Sequence, residues 1–128
     1  MNSAGRCLLF VGVLASCSDE NALEPVRECF GPLAVTVSST TPPVFTWTAP
    51  CAVARLAVIE PPSLGLTQFA WDVRSDPPRI VSPVTYGTRP GGSTEVQAPA
   101  ALRSGETYQV RVYSAAQAAI GTASFVAR

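Results

Sequence analysis

Histidine and lysine are absent from this 128-residue chain, methionine occurs once, and charged side chains make up only 14% of it. Without histidine there is no Ser-His-Asp triad, no Cys-His pair and no His-ligated zinc. General acid–base chemistry loses its most frequent carrier. The nine acidic residues are scattered, so no couple of carboxylates of the glycosidase kind stands out. No D-x-D-x-D-G calcium loop occurs. Gly91-Gly92 is too short for a phosphate loop, and Cys29 and Cys51 alone cannot hold structural zinc. The nine basic residues are all Arg and are spread along the chain, which leaves no basic stripe for nucleic acid. These absences point to a protein that is not an enzyme, with no catalytic residues, no cofactor and no metal.

Long apolar runs are also missing. The longest, Cys7 to Leu14 (CLLFVGVL), reaches about 11 residues when extended through Ala15 to Cys17, against about 20 for a spanning helix. Arg6 is the only charge before it. A short positive head, an apolar segment and small residues make a secretory signal. Cut after Ala15, with Val13 and Ala15 as its small pair, it would be an ordinary one. Leu14-Ala15-Ser16-Cys17, however, resembles the bacterial lipoprotein signal: a Leu, two small residues and an obligatory Cys. That resemblance implies removal of residues 1–16, lipidation of the Cys17 sulfur and a membrane partner reached through the acyl chains. Two or more chains anchor a protein stably, at about 0.8 kcal/mol per buried methylene. Ser18 follows the Cys, where Asp is the proteobacterial inner-membrane retention mark. Its absence places the expected location in the cell envelope, at the outer membrane where there is one.

Hydrophobic residues make up 47% of the chain, enough for a packed core of ordinary single-domain size. Residues 17–28 read as a lipidated, acid-rich tether and 29–128 as the folded domain. With Cys7 removed and Cys17 acylated, Cys29 and Cys51 remain, an even pair in an oxidising compartment.

From Cys29 onward the hydrophobic period is two. Leu33, Val35 and Val37 alternate with small or polar residues. So do Phe45 and Trp47, Leu56 and Val58, Phe69, Trp71 and Val73, and Tyr108, Val110 and Val112. Pro42-Pro43, Pro61-Pro62, Pro77-Pro78 and Gly91-Gly92 punctuate the strands, and Pro83 marks Ile80 to Tyr86 as an edge strand or bulge. Ala115 to Ala119 reads as a loop. The expected class is an all-β sandwich of about seven antiparallel strands. Leu33–Ser38 and Val44–Thr48 should form a hairpin turning near Thr40-Thr41, with opposing residue numbers summing to about 81. Extended backward, that ladder sets Cys29 beside Cys51 at disulfide distance, closing a loop of about 22 residues. Gly31-Pro32 is where the ladder can break.

Leu102, Gly105 and Tyr108, leading into an alternating strand, resemble the fibronectin type III signature, and Trp47-Thr48-Ala49-Pro50 resembles that family's second strand. The resemblance covers roughly residues 32–128. It implies an immunoglobulin-like sandwich and a tyrosine corner, in which the Tyr108 hydroxyl bonds back to the backbone. The long proline-rich stretch 61–92 and the cysteine pair depart from the family, and its Arg-Gly-Asp is absent.

Trp71, Tyr86 and Tyr113 are candidates for a binding surface, since exposed Trp and Tyr favour interfaces. The simpler reading of Trp71 puts it on the core face with Phe69 and Val73. The expected function is a lipid-anchored, extracytoplasmic adhesion or binding module for a protein or glycan. The alternative is a structural or assembly subunit of an envelope complex.

Overall fold

The computed structural model describes residues 26–62 and 65–128. The expected signal segment 1–16, Cys17 and most of the expected tether, 17–28, lie outside the described residues. Among the described residues there is no helix and there are ten strands: β1 (Val35–Val37), β2 (Val44–Trp47), β3 (Ala52–Val53), β4 (Arg55–Ile59), β5 (Phe69–Arg74), β6 (Ile80–Val81), β7 (Val84–Thr85), β8 (Thr94–Gln97), β9 (Thr107–Tyr113) and β10 (Ala119–Val126). They form a five-stranded sheet of order β10-β9-β4-β5-β8, a three-stranded sheet β1-β2-β7 and a two-stranded sheet β3-β6, with every strand pair antiparallel. The protein is an all-β sandwich.

The count of about seven strands needs correcting. One residue separates β3 from β4, and Ser82-Pro83 separates β6 from β7, so the ten strands reduce to eight extended runs. The unforeseen run is β8. Its sequence, Thr-Glu-Val-Gln, has no apolar alternation, and Val96 points to solvent at a register shift against β5. An edge strand with one covered side carries little hydrophobic signal. Proline at position 83 splits the preceding run, Ile80 to Thr85, in two, because it offers no N–H to a ladder. The first half pairs with β3 and the second with β2, so one stretch of chain serves two sheets.

Period-two alternation turns one face of each long strand inward. Leu56, Val58, Trp71, Val73, Val110 and Val112 are buried from the larger sheet, and Phe45 and Trp47 from the smaller. Phe125 of β10 bridges the two sheets, with ring centroids 5.6 Å from Phe45 and 5.8 Å from Tyr108. β1 also approaches β10, where the Leu33 N–H donates to the Ile120 carbonyl at 2.7 Å. Gly121 permits that closeness. A Cβ there would lie 2.7 Å from Val35 Cγ2 and 2.9 Å from Val112 Cγ2, inside van der Waals contact.

The first hairpin turns within Ser39–Pro43, but its register is one residue off the expected one. Val35 faces Trp47 and Val37 faces Phe45, so opposing numbers sum to 82. The ladder does not run back to Cys29. Gly31, at φ +72°, and Pro32 redirect the chain, and the segment before them lies parallel to β3. Glu28 bridges Ala52, the Cys29 N–H donates to the Ala52 carbonyl, and the Ala52 N–H donates to the Arg27 carbonyl, both bonds at 2.8 Å. Cys29 and Cys51 are disulfide-bonded, with Cα atoms 5.0 Å apart. The partners are those expected, but a parallel bridge brings them together rather than an extended antiparallel ladder.

Strand direction defines two poles. Cys29, Cys51 and the 48–51, 75–79 and 114–118 connections gather at the proximal pole, where the described chain begins. The 38–43 turn, the described residues of the connection after β4 (60–62 and 65–68) and the 98–106 connection occupy the distal pole.

At the distal pole the Tyr108 hydroxyl accepts a hydrogen bond from the Arg103 N–H, at 2.9 Å. This has the geometry of a tyrosine corner. Leu102 packs against the core, and Gly105, at φ +87°, donates its N–H to the Ala127 carbonyl. Removing the Tyr108 hydroxyl therefore strands a backbone donor. Tyr108→Phe is expected to lose about 1–3 kcal/mol of stability, measured by denaturant unfolding. An unfolding curve that matches wild type would show that this bond contributes nothing.

Candidate functional site

Two of the three candidate surface aromatics are interior, which corrects that expectation. Trp71 is fully buried (0% exposed) and Tyr86 is 8% exposed. They meet edge to face, with centroids 5.3 Å apart. Each buried polar atom has a partner, as burial requires. The Trp71 indole N–H donates to Glu95 Oε2 at 2.9 Å. The Tyr86 hydroxyl donates to the Ala100 carbonyl at 2.6 Å, with the Ala70 carbonyl 3.2 Å away. Glu95 lies on β8, so the unforeseen strand supplies the group that satisfies Trp71.

Tyr113 is half-buried on the outer face of the five-stranded sheet. Ala70 is an extra residue in β5, because Val58 pairs with Trp71 while Ile59 pairs with Phe69. Such a bulge reverses side-chain phase. Phe69 thus leaves the face it would share with Trp71 and Val73 and joins Tyr113 outside. The Arg55 guanidinium lies over both rings, 4.6 Å from the Tyr113 centroid and 5.1 Å from that of Phe69. It also makes a paired contact with Asp72, with Nε to Oδ1 and Nη2 to Oδ2 both 3.0 Å. Arg74 adds a third bond to Asp72 at 3.2 Å. With its charge neutralised and its faces stacked, Arg55 is committed to holding the sheet face together. Tyr113 serves as the wall of that stack more than as a free binding residue.

A mostly apolar opening lies at the distal pole. It is a cleft of about 180 Å³ between the 38–43 turn, the Ala100–Leu102 segment and the end of β10, with Tyr86 and Phe125 among its walls. Thr40, Thr41 and Arg128 give its rim polar groups. An apolar floor with a few polar rim groups suits a short extended segment or a small apolar ligand. Among the described residues no group of three or more His, Cys, Asp or Glu could hold a metal ion. Comparison with protein-family models, with curated proteins and with solved structures finds no match.

Sequence periodicity missed the cleft because its walls come from separate stretches of chain that touch only once the sandwich has closed. The one local signal was Ser39-Thr-Thr-Pro-Pro43, a rigid turn with polar side chains. The Arg55–Asp72 pair left no signal, since register alone brings the two together.

Burial, and secondarily the nearby Tyr108, push the Tyr86 hydroxyl up from its ordinary value near 10 to about 12. Below pH 10 both folded and unfolded chains keep the proton. Between about pH 10 and pH 12 only the unfolded chain releases it, so unfolding gains and stability falls. Urea unfolding at stepped pH should show this loss in wild type, and Tyr86→Phe should lack it. Equal slopes in the two proteins would show that Tyr86 is not the group responsible.

Proposed function

We propose that the protein is a non-catalytic lipoprotein of the cell envelope, anchored through Cys17, that binds a protein or glycan with its distal pole. The observation that carries the reading is the separation of the two ends. The chain that follows Cys17 joins the domain beside the Cys29–Cys51 bond, and the apolar cleft opens at the opposite pole. A domain tethered by one pole presents the other to partners. Ser18 in place of Asp supports the outer membrane as its location. The fold we propose is fibronectin type III-like. The strand sets β1-β2-β7 and β10-β9-β4-β5 match the two sheets of such a sandwich, with β8 as an added edge strand.

The edge of β10 favours the second reading, an assembly subunit. Thr122, Ser124 and Val126 lie on it with no charge and no proline, the features by which sheet edges usually avoid pairing. A partner strand could add there.

The test is fatty-acid labelling of wild type and Cys17→Ala in intact cells, with a photo-reactive residue at position 41 in both. Label in wild type alone, together with a discrete adduct at position 41, is the expected result. Equal label in both proteins contradicts the anchor. A labelled protein that forms no adduct contradicts the cleft as the binding surface.

A further inference from the structure

We infer that the proximal pole docks on the bilayer that holds Cys17, with Phe30 inserted at the headgroup boundary. The inference rests on the lipid-anchor reading above and extends it from an anchor to a defined orientation of the domain.

Phe30 is 74% exposed. It cannot turn inward, because its neighbour Cys29 already fills the interior place and is held there by the disulfide and by the bond to Ala52. Gly31 and Pro32 then turn the chain away, leaving Phe30 at a corner. Val26, 58% exposed, precedes it by four residues. Val81, 42% exposed, lies on β6 directly opposite Ala52, the residue whose backbone holds Arg27 and Cys29. The pole thus leaves three sizeable apolar side chains in water. Arg27 and Arg79 stand exposed beside them, with stems long enough to lie along an apolar surface while the guanidinium reaches a phosphate.

The length of chain outside the described residues selects the occupant. Eight residues, Ser18 to Pro25, separate Cys17 from Val26. Fully extended they span about 30 Å, so an anchored domain keeps this pole within that reach of the lipid. Tethering turns the contact into an intramolecular one, for which even a weak apolar surface is enough. A second copy or a protein partner has no comparable hold on this pole.

The acylated mature protein is reconstituted in phosphatidylcholine vesicles as Phe30→Trp, with Leu66→Trp as the reference and Val26→Trp as a second reporter at the same pole. Leu66 is 60% exposed in the 60–68 connection at the distal pole. Trp47 and Trp71 are buried, so the wild-type spectrum can be subtracted. Bromine-labelled lipid should quench the new indole of Phe30→Trp or Val26→Trp at least about twofold, with a blue-shifted emission, and should leave that of Leu66→Trp unquenched. If both proximal reporters emit as solvated indole while Cys17 carries label, docking is overturned and the anchor reading stands. A blue shift without lipid quenching overturns docking in favour of a protein contact. Quenching of the Leu66→Trp indole to the same extent overturns the orientation. Absence of acyl label on Cys17 overturns the anchor reading, and docking falls with it.

Discussion

The Cys29–Cys51 bond and the parallel bridge beside it tie the start of the domain to the segment that leads from the smaller sheet into the larger. That segment, Cys51 to Ile59, is buried along most of its length. It pairs with β6, β5 and β9 and supplies the centre of the five-stranded sheet. Fastening the chain here fixes which end of the sandwich faces the tether. The chain-entropy view assigns a loop of 22 residues about 3 kcal/mol. For a domain whose net stability is of order 5–15 kcal/mol, that is a large share.

Two further devices hold the sandwich on either side of that centre. Phe45, Phe125 and Tyr108 join the sheets through their aromatic faces. On the outer surface, Arg55 is held between Tyr113, Phe69 and Asp72. The side chain of Asp72 is 3% exposed, and an unpaired charge at that depth costs several kcal/mol. The charged stack thus seals a sheet face that no second layer covers. Apart from Val96 on the edge strand β8, the large exposed apolar side chains of the described residues lie at the two poles. One pole lies where a tether would hold it against lipid, and the other lies where a partner can reach it.

Much of the β architecture was legible because half-buried strands write their faces into the sequence. Phe45/Trp47, Leu56/Val58 and Val110/Val112 all point inward at period two. The Cys29–Cys51 partnership was legible too, although the parallel course of the chain around it was not, since Gly31 and Pro32 mark a break without giving its direction. What escaped detection depended on single-residue shifts. The extra Ala70 moved Phe69 to the opposite face from Trp71. β8 lacked any apolar pattern yet supplied Glu95 to the Trp71 indole. Tyr86 read as a candidate surface aromatic, because its acceptor, the Ala100 carbonyl, lies 14 residues away in sequence. The cleft arises from segments far apart in the chain, and no window of sequence contains it.

The proposed orientation of the domain depends on the covalent fastening of its proximal pole. Thiol titration of the mature, acylated protein, denatured without reductant, tests this directly. With Cys17 acylated and Cys29 bonded to Cys51, no reactive thiol should be found until reductant is added, and two should then appear. Two reactive thiols per chain before reduction would contradict the bond, and with it the pole from which the orientation of the domain is derived.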